Sequence, residues 1–444
     1  MSLCHLPALL SCAFAQLASC LDPRSAVRLP LLLLGILLAK GRRTVTSWFR
    51  AGGITGAYRR GYATVAAVGR RTDWLATRVL HATEPLLPHG RLLAGIDDTP
   101  TPRYGPCVEG AGVHHNPSQG PAGERFVYGH VWVTLAALAR HPQRGATALP
   151  LQAQLYVRRA DLPKLPPDRR RPFATKLELA AGQLHWLRVW AGHRFRERWV
   201  AADGGYAKRP FLRAARREGF VVASRLRKDA ALWSVPEPPP PGRPGRKPVY
   251  GKQRVSLAKR AGQARGWQEV ECALYGERVT KRVKSFVATW RPAGGAVRVV
   301  LVREEGQPGG WVPFFCTDPE ATAAEVLEAV ADRTALEQTF KDAKEVWGAG
   351  QQQVRNVHSS VGCFNLCLWL YSLAEAWAWG RPEQDLVDRS ASPWDNKPRR
   401  PSHADKRKAL QREVLRGEIR EALCGRPTKR KIRALGRLLL ELAG

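Results

Sequence analysis

Negative charge is scarce in this chain. Its 444 residues hold 38 Asp and Glu against 71 Lys and Arg, a net charge of +33 at pH 7. A solvated basic surface does not require so large an imbalance, and nucleic acid is the expected partner. The charge is spread along the chain, which argues against an anionic membrane as the partner. The nine cysteines are an odd number and include no CxxC pair. They therefore argue against both a zinc ribbon and a disulfide framework, and read as buried thiols. Cys363 and Cys367 are spaced to share one apolar helix face. Long apolar runs are missing as well, since Leu29–Ala39 is too short to span a bilayer. Residues 6–20 resemble a signal-peptide core, and Leu17-Ala18-Ser19-Cys20 resembles a lipoprotein cleavage site, but no Lys or Arg precedes them. Both segments read as helices. No internal repeat is evident.

What is present is a 44% hydrophobic content, enough for a folded core, in a length that suggests two or three domains. Residues 1–88 read as a helical, Arg-punctuated DNA-binding or dimerisation domain. From Arg91 the pattern alternates: strands at Leu92–Ile96, Phe126–Leu138 and Leu149–Arg158, a helix over Phe173–Trp190, a strand at Arg196–Ala202, a helix over Arg209–Glu218 and a strand at Phe220–Arg227. Three strands, helix, strand, helix, strand is the element order of an RNase H-like α/β fold, a mixed sheet with flanking helices. This first part of the core is placed at 89–235. Residues 236–316 comprise a Pro-rich linker, PEPPPPGRPGRKP, and a β-rich insertion. Residues 317–384 are the helical remainder of the core, and 385–444 a basic tail with a closing helix near 430–442.

Three acidic positions stand out. Asp97-Asp98 follows an apolar strand that is expected to stop there in a polar turn, and Asp203 precedes Gly204-Gly205 after another strand. Glu337 lies on a helix opened either by Asp318-Pro319 or by the capping-box pattern Thr322 to Glu325. On that helix Arg333, Glu337 and Lys344 fall within roughly 40° of one another, while Leu336, Ala343 and Trp347 form a separate apolar arc. Each acid alone could be a turn former or half of a surface ion pair. Together, on so basic a chain, they suggest carboxylates that hold divalent metal at a phosphodiester. His114, His115 and Cys107 share a loop without a fourth metal ligand at sensible spacing. Arg243 and Arg246, in Gly-Arg-Pro-Gly-Arg-Lys-Pro, resemble a minor-groove hook, or a plain basic linker.

These residues resemble the DDE transposases of bacterial cut-and-paste insertion sequences, in the group with a Tyr-Arg-Glu-Lys signature. Arg333, Glu337 and Lys344 match its spacing, and the Tyr position is occupied by Val330. Ile96-Asp97-Asp98-Thr99 is similar to the family's first-Asp strand, and Val200 to Tyr206 to its second. The resemblance covers roughly 90–380 and implies catalytic and metal-binding roles for Asp98, Asp203 and Glu337. Asp98 is preferred as first acid because the family Asp precedes Thr, and Asp97 is the alternative. It implies two Mg²⁺ or Mn²⁺ ions and phosphate contacts from Arg333 and Lys344. It further implies a homodimer on paired double-stranded element ends, in a bacterial cytoplasm at the nucleoid, with no membrane. A catalytically inactive, transposase-derived DNA-binding regulator is the competing expectation, and a generic RNase H-like nuclease is a third.

Overall fold

The computed structural model describes residues 6–54, 56, 58–115, 125–237, 248–304, 310–390, 394–395 and 399–423, with 428, 429, 432, 433 and 436 beyond them. Arg243 and Arg246 lie outside the described residues, as does most of the closing helix expected near 430–442.

The chain opens with helices α1 (Ala8–Ala18), α2 (Pro23–Ala26), α3 (Leu29–Leu38), α4 (Val45–Ala51), α5 (Tyr58–Arg70) and α6 (Thr72–Thr83). The apolar run expected to be helical is α3, buried at almost every position. Among the described residues no helix is long and apolar enough to cross a membrane. Strands follow: β1 (Arg91–Pro102), β2 (Gly112–His115), β3 (Phe126–His141) and β4 (Gly145–Tyr156). Then come α7 (Lys176–Ala191), β5 (Glu197–Ala202), α8 (Arg209–Arg217) and β6 (Val221–Arg225). β1 runs antiparallel to β3 and parallel to β5, β4 pairs with the far edge of β3, and β5 runs parallel to β6. The spatial order β4-β3-β1-β5-β6 places the first strand centrally, and this large mixed sheet is consistent with the expected RNase H-like fold.

The segment after the Pro-rich stretch does not hang apart from this sheet. After β7 (Leu232–Trp233), which precedes that stretch, it contributes β8 (Arg254–Val255), α9 (Leu257–Gly262), β9 (Gln268–Leu274), β10 (Glu277–Trp290), β11 (Gly295–Arg303) and β12 (Trp311–Cys316). β12 pairs antiparallel with β6, so the sheet continues through β11 and β10 as a 12-stranded whole. Helices α10 (Ala323–Glu345), α11 (Val357–Ala378), α12 (Glu383–Leu386) and α13 (His403–Leu423) follow.

The two faces of the sheet are covered by different helices. Leu92, Ala94, Ile96, Val200 and Val222 share the main core with Leu184, Leu187, Phe211 and Leu212 of α7 and α8. Leu93, Trp199 and Ala223, of opposite parity, belong to clusters that contain Val326, Leu336 and Phe340 of α10. The N-terminal helices join the main core, with Phe14, Leu33, Trp48 and Leu75 buried in it. α11 is enclosed nearly all round, as its largely apolar sequence requires.

Candidate active site

β1 outlasts its parallel neighbour, and that creates the site. The β1–β5 pairing ends at Ile96↔Ala202, whereas the β1–β3 pairing continues to Pro102↔Gly129. The expected turn at Asp97-Asp98 is therefore absent, and both residues sit inside a strand. The backbone N–H of Asp98 donates to Oδ1 of Asp97 (2.8 Å) instead of to a strand. Pro100 and Pro102, of the same parity as Asp98, turn their missing N–H toward the flank that β5 has vacated, which is why proline is tolerated there. Asp203 follows directly on β5, so it and Asp97 are the next positions along two registered strands. The chain leaves β5 in a tight turn in which Oδ2 of Asp203 accepts the Gly205 N–H (2.9 Å), leaving the carboxylate exposed.

α10 supplies the third acid. Its start is set by Thr322, whose hydroxyl accepts the Glu325 N–H while the Glu325 carboxylate accepts the Thr322 N–H. Of the two openings read from sequence, this second one is the helix cap. The helix lays its polar stripe along the odd-numbered positions of β1. Arg333 reaches Asp97 through Nη1 (2.5 Å) and Glu337 through Nη2 (2.8 Å), and Lys344 Nζ donates to the Thr99 hydroxyl (2.7 Å). The Arg333 side chain is only 11% exposed, whereas that of Glu337 is 58% exposed. Leu336, Ala343 and Trp347, the apolar arc, are buried as the spacing predicts. Asp203, Arg333 and Glu337 line one cleft of about 500 Å³, with Arg225, Tyr275 and Lys281 on its rim.

Asp98 points the other way. Its Oδ2 accepts from Lys176 Nζ at the start of α7 (2.6 Å), and its Oδ1 from the buried Tyr206 hydroxyl (3.2 Å). The structure thus gathers Asp97, Asp203 and Glu337 on the α10 side, and holds Asp98 on the α7 side. Lys176 and Tyr206 as partners of Asp98 were not picked out from sequence. Parity along β1 carried the signal: Leu92, Ala94 and Ile96 share a face with Asp98, and Leu93 shares one with Asp97.

Burial pushes the Asp97 carboxyl up to about 6, against the attraction of Arg333, and the charges of Asp203 and Asp98 push the same way. That mutual influence places the three aspartates within electrostatic reach of one another. Burial and the three Asp charges raise the Tyr206 phenol well above its usual value. Burial alone lowers Lys344. Among the described residues no three His, Cys, Asp or Glu are arranged to hold a metal ion. The guanidinium of Arg333 is the cation between Asp97 and Glu337. The donor set nevertheless fits a hard divalent ion, because Mg²⁺ needs only one or two carboxylates and keeps several waters. Asp97 and Asp203 stand at registered positions of adjacent strands, and Glu337 is paired with Arg333.

His114, expected in a loop, is in β2 and buried, its ring held at about 4 by burial and by Arg158 and Lys176. It makes no metal site with Cys107, which is exposed.

A family model described as a DDE superfamily endonuclease matches residues 16–294. The chain belongs to the DDE superfamily of endonucleases. No curated protein matches it. The match includes Asp97, Asp98 and Asp203 and ends before Glu337, which lies on α10 in the cleft it shares with Asp203. Members of the superfamily typically use divalent metals, in keeping with the oxygen donors here.

Proposed function

We propose that this DDE endonuclease is a transposase that binds the terminal inverted repeats of an insertion sequence, cleaves the ends and joins the 3′-OH to target DNA. The observation that carries the reading is the convergence of Asp97, Asp203 and Glu337 around Arg333, on a chain of net charge +33. Asp97 is proposed as first acid in place of Asp98, because it shares the α10 face with Glu337. Asp98, gripped by Lys176 and Tyr206, is proposed to fix the end of α7 against β1.

Held by Asp97, Asp203 and Glu337, one or two Mg²⁺ or Mn²⁺ ions would supply an ionised water and neutralise the leaving 3′ oxygen. The remaining work falls to side chains. Arg333 exchanges its carboxylates for a backbone phosphate beside the cut, which frees Glu337 to turn toward Asp203. Lys344, seven residues on and anchored at Thr99, extends the phosphate track along β1. Homodimerisation on paired ends belongs to the same proposal.

Asp203→Asn and Glu337→Gln are expected to abolish Mg²⁺-dependent nicking of the element's own end sequences while retaining end binding. Asp97→Asn should be as damaging, and Asp98→Asn should leave measurable cleavage. Full cleavage by the Asp203 and Glu337 variants would refute the assignment. End binding by the native chain without any nicking would leave the regulator reading in its place, and nicking that ignores end sequence the generic nuclease.

A further inference from the structure

The strongest unassigned feature is on the face of the sheet away from Asp97 and Glu337. α8 is sharply two-sided: Phe211, Leu212, Ala214 and Ala215 are buried, and Arg209, Arg213, Arg216 and Arg217 are exposed. Arg209, Arg213 and Arg217 recur every fourth residue, so they form one stripe with a rise of about 6 Å between neighbours. Like charges at this spacing repel along a helix. Among the described residues none of the three has an acidic partner, and only Arg216 is engaged, donating to the Gly294 carbonyl (3.1 Å). The stripe forms one wall of a groove of about 1360 Å³. The start of α7 and the segments 248–250 and 293–294 form the others. Its one acidic lining residue, Glu178, is occupied by the backbone and hydroxyl of Thr175. Beside it Arg291 stacks over Tyr250 (5.9 Å) and Trp233 (5.5 Å), adding a further exposed cation.

Uncompensated, evenly spaced guanidiniums along an open groove are complementary to a chain of phosphates. The groove lies against α7 and α8, whereas the acidic cleft lies under α10 on the other face of the sheet. We propose that the α8 groove is a second binding track for the backbone of double-stranded DNA, used independently of the cleavage site. The proposal rests on the DNA-processing function set out above, in that its ligand is DNA.

The test uses the full chain and a short random-sequence duplex that lacks element ends, with binding measured by fluorescence anisotropy over a series of salt concentrations. The triple variant Arg209→Gln, Arg213→Gln, Arg217→Gln should bind at least tenfold more weakly. Its salt slope should fall by about 2.7, three phosphate contacts at ~0.9 each. The matching triple Lys variant keeps the charges and should keep the slope. Equal loss in the Lys and Gln variants would mean that the helix, not its charge, was damaged, and would overturn the proposal. An unchanged slope in a folded Gln variant would overturn it too, as would an equal loss of heparin and duplex binding, which would reveal a plain polyanion surface. Failure of the native chain to bind any duplex would instead defeat the DNA-processing function itself, so the two outcomes are distinguishable.

Discussion

At Asp97 two demands meet in one side chain. It is enclosed beneath α10, yet it faces Arg333 and lies beside Asp203, so burial resists its ionisation while the guanidinium favours it. The net result, a carboxyl raised to about 6, fixes a sign. Between its ordinary value of 3.8 and about 6 the folded chain retains a proton that the unfolded chain has lost. The associated stability is complete below that window and is lost as the pH rises through it. Metal binding runs the opposite way, since the proton must leave before an ion can bind. Mn²⁺ affinity of the DNA-free protein is expected to fall by up to ~tenfold per pH unit below about pH 6 and to level off above it. Calorimetric titration across that range checks this. Asp97→Asn should remove the pH dependence together with most of the affinity, and a pH-independent affinity in the native chain would contradict the role given to Asp97.

At the scale of elements, α5 and α11 cross with almost no side chain between them. A Cβ on Gly362 would lie 2.1 Å from the Val65 carbonyl oxygen, and one on Gly69 would lie 1.8 Å from that of His358. Neither backbone can yield without lifting one helix off the other. Gly362→Ala is therefore expected to cost roughly 1–3 kcal/mol or more, read as a lower urea midpoint at unchanged slope. The same crossing seats α11 against β4, where Asn365 bonds both the N–H and the carbonyl of Ala153 (2.9 Å each). α10 depends on this support, because Thr339, two residues from Glu337, bonds the Tyr371 hydroxyl of α11 (3.1 Å). A helix crossing far from α10 thus helps to set where Glu337 stands.

Across the whole molecule, the basic C-terminal region is not a loose tail at its start, for α13 is latched into the core. Trp347 donates its indole N–H to Nε2 of His403 (2.6 Å), so Nδ1 carries the proton that bonds Glu375 (2.6 Å). Lys406 bonds the other oxygen of Glu375 (2.5 Å), and Tyr371 stacks on the His403 ring at 3.9 Å. Arg407 spans to the carbonyls of Ile36, Leu37 and Ala39, which closes the end of α3. Lys406 and His403 hold the buried Glu375 at about 2 despite its burial. The stability from this depressed group is present above about 4.5 and is lost as the pH falls toward about 2. Glu375→Gln leaves buried cationic Lys406 without its partner charge and should cost about 3–5 kcal/mol. Hydrogen exchange should locate the loss in α13 and the adjoining end of α3. Unchanged protection there would mean that the latch is ornamental.

Period-two alternation and apolar runs in the sequence were enough to place β1, β3, β4, β5 and β6, because a strand buried on one or both faces must repeat that pattern whatever surrounds it. The capping box at Thr322 and the apolar arc of α10 were legible for the same local reason. The acids could be picked out as types and positions, and the net charge of +33 suggested nucleic acid as a partner. Only the tertiary structure shows that Asp97 faces α10 and Asp98 faces α7, since adjacent residues of a strand face opposite sides and nothing local says which side α10 will cover. It also decided that the β-rich segment extends the main sheet through β12 and β6, and that α13 belongs to the core. Pairing partners and buried ion pairs join residues far apart in the chain, and no window of sequence contains both halves of such a contact.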